Sequence, residues 1–371
     1  MKMFLAAVLV IHGMIHFLGF YKAFGIGKRN QIRKNISKIA GIFWLLSALL
    51  YLNSAVLFFA ESDAWWIPAV PALIFSQILI IFAWKDTKFG TIANVIVVFP
   101  LIIACAEYQP GSFKNVFRSE VIKRLPVNQQ PDILTEDDLA KLPKPIQKYI
   151  KFTGAVGKEK IHNFRIEFKG QIKPNPGSDF LDFKSAQYNF LENKARFFYL
   201  QSSFLGIPFD GLHIYKNGSA SMKIRIASII DLAEAKGKEM NKGETVTFFN
   251  DICLYAPASL ADQNIMWEVT DSLTVNAEFA ISGNTVSATL FFNTEGELIN
   301  FSSGDRYETA DGLTFRNYRW TTPVGNYIDY NGRKIPAYGE AVWHKPEGDF
   351  VYGKFNLVKL ELNCTESVIN N

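Results

Sequence analysis

Four runs of about twenty apolar residues fill the first 108 positions of this chain: Met3 to Phe24, Ile39 to Ala60, Trp65 to Trp84 and Phe89 to Tyr108. A helix needs about 20 such residues to cross a hydrocarbon core of ~30 Å, where no water can satisfy a broken backbone. Residues 1–108 are therefore expected to form a four-helix transmembrane bundle. Trp65, Trp66, Trp84 and Tyr108 sit near the run ends, where amphipathic rings favour the interface. The first run is too long for a cleaved signal, and Phe20-Tyr21-Lys22-Ala23-Phe24 lacks a small-residue cleavage site. Ile102-Ile103-Ala104-Cys105 has the form of a lipoprotein processing site but follows three earlier runs, so Cys105 reads as a buried thiol.

Lys28, Arg29, Arg33, Lys34 and Lys38 follow the first run, Lys85 and Lys88 follow the third, and Glu61 and Asp63 follow the second. The bias of basic loops to the cytoplasm then starts the chain outside and delivers its C-terminal part outside. Lys114, Arg118, Lys123 and Arg124 oppose this orientation, although long domains translocate largely regardless of such charge. The net charge is only +4, from 39 basic and 35 acidic side chains. With many bases flanking apolar runs, nucleic acid is not an expected partner; the lipid bilayer is.

Ile11-His12-Gly13-Met14-Ile15-His16 puts two histidines four apart on one helical face. His12 and His16 are weak metal or haem candidates, since further ligands would have to come from other helices. The plainer expectation is hydrogen bonding across the bundle, to Asn53, Ser54, Gln77 or Asn94, with Gly13 and Gly19 permitting close packing.

Residues 109–130 read as a connector and 131–371 as a β-rich globular domain. Pro110, Pro126, Pro131, Pro143 and Pro145 punctuate the entry. Thr135 and Asp138 resemble a capping box, and Pro145 suits the first turn of a helix from Ile146 to Phe152. The period then becomes two, as in Phe164, Ile166 and Phe168 alternating with Arg165, Glu167 and Lys169. Leu273 to Ile281, Val286 to Phe292 and Leu298 to Arg306, joined by turns at Ser282-Gly283-Asn284 and Thr294-Glu295-Gly296, predict an antiparallel meander. Further strands are expected at 180–190, 195–204, 212–215, 219–226, 265–269, 314–321, 340–344 and 351–362. A helix over Gly243 to Tyr255 carries an apolar stripe of Val246, Phe249, Ile252 and Cys253. The fold class is α+β, with a large curved antiparallel sheet that must curl or be covered, and a few helices packed on it.

Leu142-Pro143-Lys144-Pro145-Ile146, Thr321-Thr322-Pro323, and Ile335-Pro336 followed by Gly339-Glu340-Ala341-Val342-Trp343 resemble a bacterial domain-of-unknown-function family. His12-Gly13-x-x-His16 with Leu18-Gly19-Phe20 and Lys22-Ala23-Phe24 is similar to the membrane anchor of some members. The resemblance implies a curved sheet wrapped over helices, like the LolA-type periplasmic carriers of lipoproteins. It implies no activity and no catalytic residue.

No zinc-protease, nucleophile-elbow, phosphate-loop or paired CxxC motif is present. Gly25-Ile26-Gly27 lacks a third glycine, and Tyr330 with Lys334 lacks a dinucleotide-binding unit. Cys253 and Cys364 are read as two buried free thiols in preference to a disulfide. No cofactor is expected. Asp210, His213, Asp305, Arg306, Arg316, Arg319, Glu340 and His344 are polar groups within apolar strands, most of them expected to be solvated or paired. Arg306, Arg316 and Arg319, with Trp343, are weak ligand-binding candidates for a phosphate headgroup. The leading functional expectation is a module whose curved sheet shelters a lipid, acyl chain or lipoprotein. The alternatives are an envelope-lipid hydrolase, a redox protein using His12 and His16, and a non-catalytic scaffold.

Overall fold

The computed structural model describes residues 2–26, 32–127, 130–261 and 265–366; Gly27, Lys28 and Arg29, used above, lie outside the described residues. The chain divides into two compact units, Met1–Gln109 and Pro110–Asn371.

The first unit is helical: Lys2–Phe24 (α1), Lys38–Phe59 (α2), Trp66–Phe82 (α3), Trp84–Thr87 (α4) and Gly90–Glu107 (α5). Three of these, α1, α2 and α5, are long and apolar enough to cross a membrane. The expected third span is shorter, because the backbone turns at Ala83 and divides the run into the 17-residue α3 and the short α4. At 1.5 Å per residue α3 is about 26 Å long, just under the hydrocarbon thickness. Small residues let the helices approach closely: Gly13 lies against Tyr51 and the Ala48 carbonyl, and Gly19 lies directly under the Trp44 ring. The outward faces stay apolar, with Ile11, Ile42, Val56, Ile81, Ile92 and Phe99 all exposed. Water would not tolerate such a surface, whereas lipid would.

The second unit opens with Phe113–Ile122 (α6) and Lys144–Phe152 (α7). Ser112 caps α6, its side chain accepting the Asn115 N–H. Asn163–Ile172 (β1), Leu181–Phe190 (β2), Ala195–Phe204 (β3), Ile207–Lys216 (β4), Ser219–Ile226 (β5) and Ile230–Lys236 (β6) then form a meander. After Lys238–Tyr255 (α8) come Ile265–Val269 (β7), Thr274–Ile281 (β8), Asn284–Phe292 (β9) and Leu298–Ser303 (β10). Tyr307–Glu308 (β11) and Arg316–Asn317 (β12) pair separately, before Arg319–Thr321 (β13), Val324–Tyr330 (β14), Arg333–Lys345 (β15) and Gly348–Leu362 (β16). Fourteen strands make one open antiparallel sheet in the order β6-β5-β4-β3-β2-β1-β16-β15-β13-β10-β9-β8-β7, with β14 on β15. The seam is β1 against β16, where Phe164 faces Leu362 and Ile166 faces Leu360.

The sheet curls around α8. Every residue of α8 from Gly243 to Tyr255 is buried, because the helix touches β4, β5 and β6 on one side and β9, β10 and β15 on the other. This is more than one apolar stripe resting on a sheet. The curl brings the two halves together at one end, where Asn284 Nδ2 donates to the Gly218 carbonyl at 2.8 Å. Gly218, at φ +75°, has the Ser282 carbonyl where a Cβ would stand, so both backbone conformation and space require glycine.

The β2–β4 region is covered on both faces. Phe198, Leu200 and Tyr215 belong to the core that contains α8, whereas Tyr188, Phe190, Phe197, Tyr199 and Leu212 pack with Phe113, Phe117 and Val121 of α6. That is why β3 is buried continuously from Ala195 to Leu200 instead of alternating. Cys253 and Cys364 are free and buried, one in each of these cores. Burial pushes the Cys253 thiol well above its ordinary pKa and Cys364 to about 11. Both should resist maleimide at neutral pH in the folded chain and react fully in denaturant, as intact-mass measurement would check.

Candidate ligand-binding cavity

Between α8 and the concave face of the sheet lies a cavity of about 230 Å³. Phe168, Phe198, Leu200, Phe209, Met222, Ile224, Leu254 and Phe355 supply apolar wall. The period-two rule aims them inward: Phe198 pairs with His213 and Leu200 with Gly211, so all four share one face.

One wall is charged. Glu244 and Asp251 are seven apart on α8, hence on one side of it. Both meet Arg196 of β3, whose Nε donates to Asp251 Oδ2 at 2.7 Å and Nη1 to Glu244 Oε2 at 3.0 Å. Its Nη2 donates to Gln187 Oε1 at 3.0 Å. Gln187 Nε2 and Asn189 Nδ2 donate to Asp251 Oδ2 at 2.8 and 3.1 Å. Burial works against ionising both carboxyls. On Glu244 that effect is outweighed by Arg196 and His213, which hold it down to about 2; on Asp251 burial prevails over Arg196 and the pKa is raised. His213 Nδ1 lies 3.0 Å from Glu244 Oε1. Because an ionised carboxylate only accepts, Nδ1 carries the proton there.

Arg306 stands elsewhere on the lining. Its Nη1 donates to Tyr352 Oη at 2.6 Å, and its guanidinium carbon lies 4.3 Å from the Trp320 ring centre. Trp320 Nε1 donates to the same Tyr352 oxygen at 3.1 Å. Among the described residues Arg306 forms no ion pair with a carboxylate, so a cation faces the cavity braced by aromatic groups.

Of the sequence candidates, His213, Arg306 and Glu340 line this cavity. Trp343 is buried behind Tyr352, stacked at 5.8 Å. Arg316 and Arg319 are exposed on β12 and β13, in two other grooves; the three arginines do not converge. Asp210 is on the α6 side, accepting from Tyr199 Oη and Ser228 Oγ. Asp305 pairs with Lys242, and His344 with Asp349. Sequence reasoning missed Arg196, Gln187, Glu244 and Asp251. The available signal was a lone arginine in the apolar run Ala195–Leu200, and two acids at i and i+7 inside a helix with an apolar stripe.

In the helical unit, His12 Nε2 donates to Asn94 Oδ1 at 2.9 Å and lies 3.1 Å from Ser76 Oγ. Tyr51 Oη and Ser76 Oγ also donate to Asn94 Oδ1, at 2.8 and 3.1 Å, and Asn94 Nδ2 donates to Gln77. His16 Nδ1 donates to the His12 carbonyl at 2.8 Å, leaving its buried Nε2 without a partner. Among the described residues no three His, Cys, Asp or Glu side chains group as metal ligands would.

An open antiparallel sheet curled over a buried helix, with an apolar cavity between them, defines the class of the globular unit. The chain belongs to a family of unknown function, DUF6544, whose profile matches residues 132–355. A LolA superfamily protein from Nitrosomonas europaea is similar in structure, at 9% identity over 61% of this chain and 96% of that one, with a TM-score of 0.35. No curated protein is significantly similar to the chain.

Proposed function

We propose that the chain is a membrane-tethered binding module of the bacterial inner membrane. Its globular unit lies outside the cytoplasm and shelters a lipid acyl chain, free or carried by a lipoprotein. The observation that carries this reading is the cavity: inward-facing Phe, Leu, Ile and Met side chains on curled strands, closed by a helix, suit a hydrocarbon chain. Tethering rests on the apolar helices, with the 17-residue α3 as a fourth span if it is set upright. Orientation is supported by Asp86, which accepts the N–H groups of Arg33 and Lys34 at 2.8 and 3.0 Å. That gathers the basic segments after α1 and α3 at one end of the helical unit, while Lys2 pairs with Glu61. One basic end is what the cytoplasmic bias requires.

The test is photolabelling of the full chain in nanodiscs with a fatty acid bearing a diazirine near its methyl end. Peptides of β3 and β4 containing Leu200 and Phe209 should be labelled, unlabelled oleate should compete, and Met222→Trp should abolish the signal by filling the space. Label confined to the apolar helices, or labelling of β3 and β4 that oleate leaves untouched, would remove the proposal.

A further inference from the structure

Two hairpin tips at one end of the sheet display a cluster of apolar side chains to solvent. Phe204, Leu205 and Ile207 at the β3–β4 turn are 59%, 84% and 41% exposed, and Ile229, Ile230 and Leu232 at the β5–β6 turn are 52%, 59% and 58% exposed. The tips are neighbours by register: Phe204 pairs with Ile207, Phe209 with Ile226, and Ile226 with Ile230. At about 4.8 Å between strands, the four edges span only about 14 Å.

The turn itself favours another residue. Leu205 sits at φ +50° before Gly206 at φ +81°, a left-handed pair for which Asn-Gly is the ordinary sequence. A branched side chain at positive φ is disfavoured, and here it points an apolar group into water. Neither folding nor solubility accounts for that choice; a nonpolar medium at the tip does.

Chain length says which medium. Arg225 Nη1 donates to the Gly111 carbonyl at 3.0 Å, and the Arg225 guanidinium lies 4.2 Å from the Phe113 ring centre. The entry of the globular unit is thereby fixed beside the last residues of β5, next to the β5–β6 tip. Gly111 is four residues past Glu107, where the apolar α5 ends. However the unit is oriented, connectivity alone holds Gly111 within about 14 Å of that helix end.

We propose that the β3–β4 and β5–β6 tips insert their apolar side chains into the bilayer that anchors the chain, so that the globular unit docks tip-first on its own membrane. Phe209 and Ile224 line the cavity within a few residues of the tips. On the reading above, docking would bring the cavity to the lipid surface from which its ligand comes. The insertion itself stands without that reading.

A photo-crosslinking amino acid at Leu205, at Ile230 or at Met266 tests this in the full chain, reconstituted in phosphatidylethanolamine–phosphatidylglycerol vesicles. Met266 is 66% exposed on β7, the opposite edge strand, and serves as the control. Lipid adducts detected by mass spectrometry are expected at 205 and 230 and absent at 266. Equal lipid adduct at all three sites, none at 205 and 230, or adducts there only to another protein chain would overturn the proposal. The outcome is separate from cavity labelling: tips can crosslink lipid while β3 and β4 stay unlabelled by fatty acid, and the reverse.

Discussion

Arg196→Met is expected to destabilise the globular unit by about 3–5 kcal/mol, the usual loss when one partner of a buried ion pair is removed. The cause is what remains. Glu244 and Asp251, both buried, would face each other's charge with His213, Gln187 and Asn189 as hydrogen-bond partners and Arg306 as the remaining nearby cation. At roughly 2–4 °C per kcal/mol for a unit of this size, the midpoint of thermal unfolding should fall by about 10 °C. Adding Glu244→Gln and Asp251→Asn to Arg196→Met should restore most of the loss, because no uncompensated charge stays buried. A midpoint unchanged in the single variant would mean that the cluster is hydrated and the cavity far wetter than its walls suggest.

The same cluster sets an acid limb of stability. The Glu244 pKa is depressed from 4.5 to about 2 in the folded chain, so its contribution is present above pH 4.5 and lost as pH falls through that window. At 1.36 kcal/mol per unit the loss is about 3 kcal/mol. Asp251 has the opposite sign: its pKa is raised from 3.8, so its contribution is present below about pH 3.8 and lost as pH rises through the raised value. Denaturant midpoints measured from about pH 7 to 3 should therefore carry a fall from Glu244 on the acid side, opposed in part by Asp251. Glu244→Gln should make that fall shallower and Asp251→Asn should make it steeper, against a background from other carboxyls held below their ordinary range, Asp311 and Glu361 among them.

The legibility of this chain follows the range of the forces. Strands whose partners are next in sequence stood out, because a two-residue period and a Gly or Asn turn are local signals: β3, β5 and β7 fall where the spacing predicts them. β6 was missed, since Asp231-Leu232-Ala233-Glu234-Ala235-Lys236 is rich in helix formers and is held as a strand by pairing with β5. β14 follows Pro323 and is held as a strand by pairing with β15, with Tyr327 donating to the Leu298 carbonyl of β10. The α6 segment has the polar, charged look of a linker, yet Phe113, Phe117 and Val121 recur at helical spacing and bury against the sheet. The cavity could not be read at all: Arg196 and Glu244 are 48 residues apart, and nothing local says that a strand and a helix will meet. Arg306, Arg316 and Arg319 looked like a cluster because they are close in sequence, but the β12–β13 excursion sends their side chains to different surfaces.

Asn94→Leu should destabilise the helical unit by about 2–4 kcal/mol, from the loss of four side-chain hydrogen bonds worth ~0.6–1 kcal/mol each in a bilayer. Leucine keeps the branching of asparagine but its methyl groups are bulkier, so at this buried position some overpacking adds to the polar loss. Asn94 Oδ1 accepts from His12, Tyr51 and Ser76, and Asn94 Nδ2 donates to Gln77; α1, α2, α3 and α5 all meet at this one side chain. Ser76→Ala breaks two of the contacts but leaves Asn94 to bind His12 and Tyr51, so a smaller loss is expected, about 1 kcal/mol. Unfolding of the detergent-solubilised chain, followed by circular dichroism, measures both. If His12 and His16 instead served a metal or haem, Asn94→Leu would leave the fold intact while changing absorbance or bound metal. A large stability loss with no spectral or metal signal fits a structural role, in which His12 donates to Asn94 and four helices are held together at that one side chain.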